Sequence, residues 1–147
     1  MKFNKLIIFD LDGVLIDSKA FHYEALNNAL RSIDPKFIIT EQEHVVSYDG
    51  LPTKSKLEKL HNKKGLPKKM FDQVWRDKQE QTLRILKKNI SKDEQLIKNF
   101  KLLKDQDYTI AIASNSIKLT IQTVLDKLGL SKIIDFYLSH EDVRLSK

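Results

Sequence analysis

The chain has 147 residues, 41% hydrophobic and 31% charged, with a formal net charge of +6 and no cysteine. That balance excludes a disordered chain, and the length allows one domain with a real core, or one domain carrying a small insertion. The missing cysteine excludes a disulfide scaffold, a thiolate metal site and cysteine catalysis, and it fits a reducing compartment.

The first apolar run, residues 6–9, is too short for a signal-peptide core or a membrane span, so a cytoplasmic protein without a membrane partner is expected. Residues 5–9 read as a buried strand that ends abruptly in Asp10-Leu11-Asp12-Gly13. A helix is predicted over 19–32, with Phe21, Ala25, Leu26, Ala29 and Leu30 on one face and Asp17 or Ser18 available as its cap. Asp34-Pro35 ends it. Thr40 and Glu43 form a capping box for a short helix over 41–48, and Asp49-Gly50 breaks the chain. Pro52 opens a helix over 53–64, Gly65 stops it, and Pro67 starts another over 68–88. Residues 18–88 therefore read as an all-helical inserted subdomain.

A second capping box, Ser91 to Glu94, opens a helix through Leu96, Ile97, Phe100 and Leu103. Residues 108–113 read as a second buried strand ending in Ser114-Asn115-Ser116. A helix over 118–128 follows, with Gly129 as its C-cap, and a third strand ends at Leu138. Strand, helical insert, helix, strand, helix, strand indicates an α/β fold with a parallel, Rossmann-like sheet of about three strands. The expected division is 1–17 with 89–147 as the core and 18–88 as a helical cap. All three strands read as buried on both faces.

Charge is unevenly spread: residues 51–104 carry 16 basic and 6 acidic side chains. Such a patch can attract nucleic acid or a phosphorylated substrate. The excess is mostly lysine, with only Arg76, Arg84 and Trp75 among it, so a solvated helical surface is the preferred reading and a nucleic-acid partner is not expected.

Two carboxylates one residue apart at a strand end cost desolvation and mutual repulsion unless a cation or substrate uses them. Ligands of open α/β sheets bind beyond the carboxyl ends of the strands. The stretch Phe9-Asp10-Leu11-Asp12-Gly13-Val14-Leu15-Ile16-Asp17-Ser18 resembles the first signature of the haloacid-dehalogenase-like phosphohydrolases. Ile112-Ala113-Ser114-Asn115-Ser116 resembles the second, and the segment from Ser139 to Lys147 resembles the run that ends in the third-signature lysine. A helical insert directly after the first signature is similar to the cap of the β-phosphoglucomutase-like and phosphoglycolate-phosphatase-like subgroup.

The resemblance implies a Mg²⁺-dependent phosphatase acting on a small phosphorylated metabolite. Asp10 would be the nucleophile that forms an aspartyl-phosphate, and Asp12 the general acid and base. The Asp10 carboxylate and the Asp12 backbone carbonyl would ligate Mg²⁺. Ser114, the Asn115 amide and Lys147 would hold the phosphoryl oxygens. His22 would face the cleft or simply pack, and the loop with Gly50 and Thr53 would reach over the substrate or merely start a helix. Glu141 and Asp142 would join an acidic rim, though surface charge is the preferred reading. A sugar phosphomutase of the same family is the alternative activity; a non-catalytic, partner-binding product is the alternative class. The resemblance also implies a fourth signature, an acidic pair after a fourth strand, which has no counterpart here. A truncated chain, weakly active or inactive, with an incomplete metal site and an exposed sheet is the expectation, with oligomeric state and substrate left open.

Overall fold

The structure, a computed structural model, describes residues 5–144. The strands β1 (Lys5–Phe9), β2 (Tyr108–Ala113) and β3 (Phe136–Leu138) form one parallel sheet in the order β1-β2-β3. Among the described residues six α-helices accompany it: α1 (Lys19–Ile33), α2 (Glu41–Glu43), α3 (Thr53–Lys64), α4 (Phe71–Asn89), α5 (Glu94–Asp105) and α6 (Lys118–Leu128). The chain divides into two compact units, Ser18–Ile85 and a second built from the residues up to Asp17 with those from Leu86 onward.

In the sheet unit, register pairs Ile7 with Ile110 and Phe9 with Ile112, and Ile112 in turn with Tyr137. Partners in a parallel ladder share a face, so these side chains line one side of the sheet. Helix α5 covers that side, with the Phe100 ring 4.9 Å from the Phe9 ring. Right-handed crossovers between strands that follow one another in a single direction place α5 and α6 on the same side. The opposite face carries Leu6, Ile8, Phe136 and Leu138, which are 52%, 58%, 44% and 44% exposed. The expectation of strands buried on both faces is thus corrected for β1 and β3, whereas in β2 Ile110, Ala111 and Ile112 are all buried. A run of apolar residues without alternation looks two-sided, but α5 and α6 cover one side and the edge strands stay exposed on the other.

Asp135 fastens the start of β3 to β2. Its amide donates to the Ile110 carbonyl at 2.9 Å, and its carboxylate accepts from the Ile110 amide at 2.7 Å. That N–H and the nearby Lys104 ammonium hold the Asp135 carboxyl below the usual carboxylate range. Helix α6 ends at Gly129, whose φ of 81° is left-handed. A Cβ there would stand 2.8 Å from Ile97 Cδ1 and 3.2 Å from Lys92 Cγ. Gly129→Ala combines backbone strain with overpacking, and is expected to lower unfolding free energy by about 1–3 kcal/mol. Urea denaturation should show a lower midpoint at an unchanged m-value.

The helical unit packs around Leu26, Leu30, Phe37, Ile39, Leu57 and Leu60, all buried. Buried Asn27 closes its first loop, donating to the Ile39 carbonyl at 2.9 Å and accepting from the Ile39 amide at 3.0 Å. The Thr40–Glu43 capping box forms with both bonds. The helix expected over 41–48 is present, but after Glu43 it widens to a π-turn, His44–Tyr48, closed by the Asp49 amide on the His44 carbonyl at 2.8 Å. The extra residue in the turn buries both His44 and Tyr48 and leaves Val45 and Val46 exposed.

Two caps also differ from expectation. Asp93, not Ser91, caps α5 by accepting from the Leu96 amide, and Ser18 precedes α1 without a side-chain capping bond. The helix expected from residue 68 begins as a 3-10 turn, Lys68–Met70.

Candidate active site

Asp10 leaves the sheet one residue after β1, and Asp12 follows across Leu11, whose side chain is fully buried between the two half-buried acids. Burying Leu11 fixes where the acids leave the sheet. The Leu11 amide donates to Asp10 Oδ1 at 2.7 Å and so orients the first carboxylate. The Leu11 carbonyl accepts from the Leu15 and Ile16 amides, at 3.0 and 3.2 Å. Gly13, at φ 78°, donates its amide to the Ile16 carbonyl at 2.8 Å, and Asp12 bridges to Ile16. A side chain at position 13 would strain that φ, so glycine is what lets the loop close.

The neighbouring strand β2 delivers Ser114, which is buried and held by its amide on the Leu138 carbonyl at 3.0 Å. Ser114 Oγ accepts from the Ser116 amide at 3.1 Å, and the Ser116 hydroxyl donates to Asp12 Oδ2 at 3.2 Å. Adjacent strand ends thereby bring Asp12, Ser114 and Ser116 into one hydrogen-bonded group beside Asp10, with half-buried Asn115 between the serines. Ser116 was not singled out from the sequence. Its only signal was the alternation of Ser114 and Ser116 around Asn115. Lys147 lies outside the described residues.

Glu141 and Asp142 do not form an acidic rim. Glu141 accepts from the Lys118 amide at the start of α6. Asp142 pairs with Lys118 Nζ at 2.6 Å and accepts from the Ser139 amide and hydroxyl, each at 2.9 Å. The Lys118 hydrogen bond, then the Ser139 amide, hold the Asp142 carboxyl at about 2. Both acids are engaged in fastening the start of α6 to the turn at His140–Asp142.

In the helical unit, His22 on α1 places Nδ1 3.5 Å from Lys78 Nζ on α4. Gly50 has a left-handed φ of 71°, and Thr53 is the first residue of α3. Lys56 and Lys78 are only 5% and 6% exposed. Neither was singled out, because lysines in helices read as solvated. A signal existed, since Lys78 falls on the buried stripe of Val74, Thr82 and Ile85. His44 is buried, its ring 5.4 Å from that of Tyr23. Burial first, and the Lys56 charge second, push its pKa below the ordinary histidine value.

Among the described residues no group of three or more His, Cys, Asp or Glu side chains is placed to hold a metal ion. Asp10 and Asp12 nevertheless supply hard oxygen donors, and Mg²⁺ is commonly held by one or two carboxylates with water and substrate phosphate completing its shell. The donor chemistry fits the ion without making a full protein cage. Among the described residues no helix is long and apolar enough to cross a membrane.

Solved structures share this fold. CbbY from Rhodobacter sphaeroides, determined in complex with xylulose-(1,5)bisphosphate, is 15% identical with a TM-score of 0.84, over 99% of this chain and 67% of that one. The β-phosphoglucomutase of Clostridium difficile is 20% identical with a TM-score of 0.75, over 98% of this chain and 65% of that one. A predicted phosphoglycolate phosphatase from Haemophilus somnus is 18% identical with a TM-score of 0.76, over 100% of this chain and 67% of that one. The chain thus spans about two thirds of the length of these structures. None of the curated proteins matches it. The sequence pattern of the haloacid dehalogenase-like hydrolases matches residues 7–147, nearly the whole chain. With Asp10, Asp12 and Ser114 set at adjacent strand ends within that match, the chain belongs to the haloacid dehalogenase-like hydrolase family.

Proposed function

We propose that the protein is a Mg²⁺-dependent phosphatase that hydrolyses a small phosphorylated metabolite through an aspartyl-phosphate. The observation that carries this reading is the link from the Asp12 carboxylate to the buried Ser114 hydroxyl through Ser116, two residues from the Asp10 carboxylate that the Leu11 amide holds. The Leu11 amide holds one oxygen of Asp10, so the carboxylate is oriented before substrate arrives, and its attack on phosphorus forms the acyl-phosphate. Ser114 Oγ already accepts from the Ser116 amide, which leaves its own proton to donate to a phosphoryl oxygen. The Asn115 amide and Lys147 would complete the contacts to that group. Asp12 gives a proton to the leaving oxygen and then takes one from the water that cleaves the acyl-phosphate. When bound, Mg²⁺ would be held by Asp10 and Asp12 and would offset the negative charge of the phosphoryl group. His22 and the loop carrying Gly50 and Thr53 are proposed to contact the rest of the substrate.

Phosphate release from p-nitrophenyl phosphate and from small sugar and carboxylic-acid phosphates, with and without Mg²⁺, tests the proposal. Release that depends on Mg²⁺ is expected. No release from any ester would overturn the reading, and isomer exchange of a hexose phosphate without net release would reassign the activity to a mutase.

A further inference from the structure

We propose that Ser116 is a positioning residue that fixes which oxygen of Asp12 exchanges the proton. The inference rests on the phosphatase reading above. A carboxyl group has two chemically equivalent oxygens, and a free rotor would present either one to the leaving group. The Ser116 hydroxyl donates to Oδ2 at 3.2 Å, which marks Oδ2 as the accepting oxygen. Oδ1 is then the oxygen that carries the proton.

Ser116 is itself held. Its amide donates to Ser114 Oγ at 3.1 Å, and the Ser114 amide donates to the Leu138 carbonyl on β3 at 3.0 Å. The Asp12 side chain is therefore referenced to the end of β2 as well as to its own loop. Two strands, rather than one turn, set its rotamer.

As the bond from Asp10 to phosphorus forms, the bond from phosphorus to the leaving oxygen breaks, and Asp12 Oδ1–H passes its proton to that oxygen. In the second half, water attacks the acyl-phosphate, its proton goes to Oδ1, and inorganic phosphate leaves with the Asp10 carboxylate restored. The Ser116 bond to Oδ2 persists through both halves, because Oδ2 is an acceptor in either protonation state.

The test compares Ser116→Ala and Ser116→Thr with the unsubstituted chain on two esters. Glycerol phosphate has a poor leaving group that needs the acid, and p-nitrophenyl phosphate has a good one that does not. kcat/KM reports the first half-reaction alone. Ser116→Ala should lower it about 10- to 100-fold for glycerol phosphate, the size of one hydrogen bond to a charged group. For p-nitrophenyl phosphate the change should stay within about threefold, because acid assistance is small there. Ser116→Thr, which keeps the hydroxyl, should restore the rate.

An activity-independent arm follows the Asp12 carboxyl carbon by NMR on aspartate-labelled protein. Its resonance should move in Ser116→Ala and return in Ser116→Thr. Equal losses on both esters, or an unmoved resonance, would overturn the positioning role. If the unsubstituted chain hydrolyses nothing, the phosphatase reading fails, and the resonance still decides whether Ser116 holds Asp12.

Discussion

Asp10→Asn should abolish phosphate release, lowering kcat by about four orders of magnitude or more, the scale of removing a covalent nucleophile. The substitution is nearly isosteric, and an asparagine Oδ1 still accepts the Leu11 amide that now holds Asp10 Oδ1 at 2.7 Å. The loop should therefore keep its shape while the attacking carboxylate is lost. A phosphate-release assay on the variant, beside a far-UV circular dichroism spectrum matching the unsubstituted protein, checks both halves of that statement. A variant that retains a tenth of the activity would remove Asp10 from the nucleophile's role.

Asp12→Asn should cost about 10²- to 10⁴-fold in kcat/KM on an alkyl phosphate, the usual scale of general acid catalysis. On p-nitrophenyl phosphate the loss in kcat/KM should be much smaller. The second half-reaction has no such escape, because water must still surrender a proton. Rapid mixing with p-nitrophenyl phosphate should then give one burst of p-nitrophenol per chain followed by slow turnover, as the aspartyl-phosphate accumulates. A variant with equal losses on both esters and no burst would show that Asp12 serves some other purpose. Because the asparagine oxygen still accepts from Ser116, now at 3.2 Å from Asp12 Oδ2, loss of the proton is separated from loss of the contact. Ser116→Ala makes the opposite change, and the pair isolates chemistry from orientation.

Local chemistry made much of this legible. Lys5–Phe9, Tyr108–Ala113, Thr53–Lys64 and Lys118–Leu128 run where apolar runs, Pro52, Gly65 and Gly129 place their ends. Such signals act within a few residues and need no tertiary partner. The misreadings arose where a distant contact decided. The helix expected over 41–48 is present but widens to a π-turn at His44–Tyr48, whose extra residue allows His44 and Tyr48 to be buried together. The caps at Ser18 and Ser91 were plausible by spacing, but Asp93 was the side chain that reached an amide of α5. For Glu141 and Asp142 surface charge is the safer reading of the sequence, but spacing does not name their partner. A 2.6 Å pair with Lys118 engages Asp142 in fastening the start of α6.

By itself the sequence determined the parallel α/β pattern, the helical insertion after the first strand, and the pair of carboxylates where that strand ends. Strand periodicity, capping residues and the cost of adjacent charges are local, so they can be read along the chain. Tertiary structure alone decided what surrounds that pair. Parallel pairing sets the end of β2 beside the end of β1, and this brings Ser116, 104 residues from Asp12, within hydrogen-bond reach. Crossovers of one hand put α5 and α6 on one face and left Leu6, Ile8, Phe136 and Leu138 exposed on the other. Handedness and register are relations between strands, and no single stretch of sequence contains them.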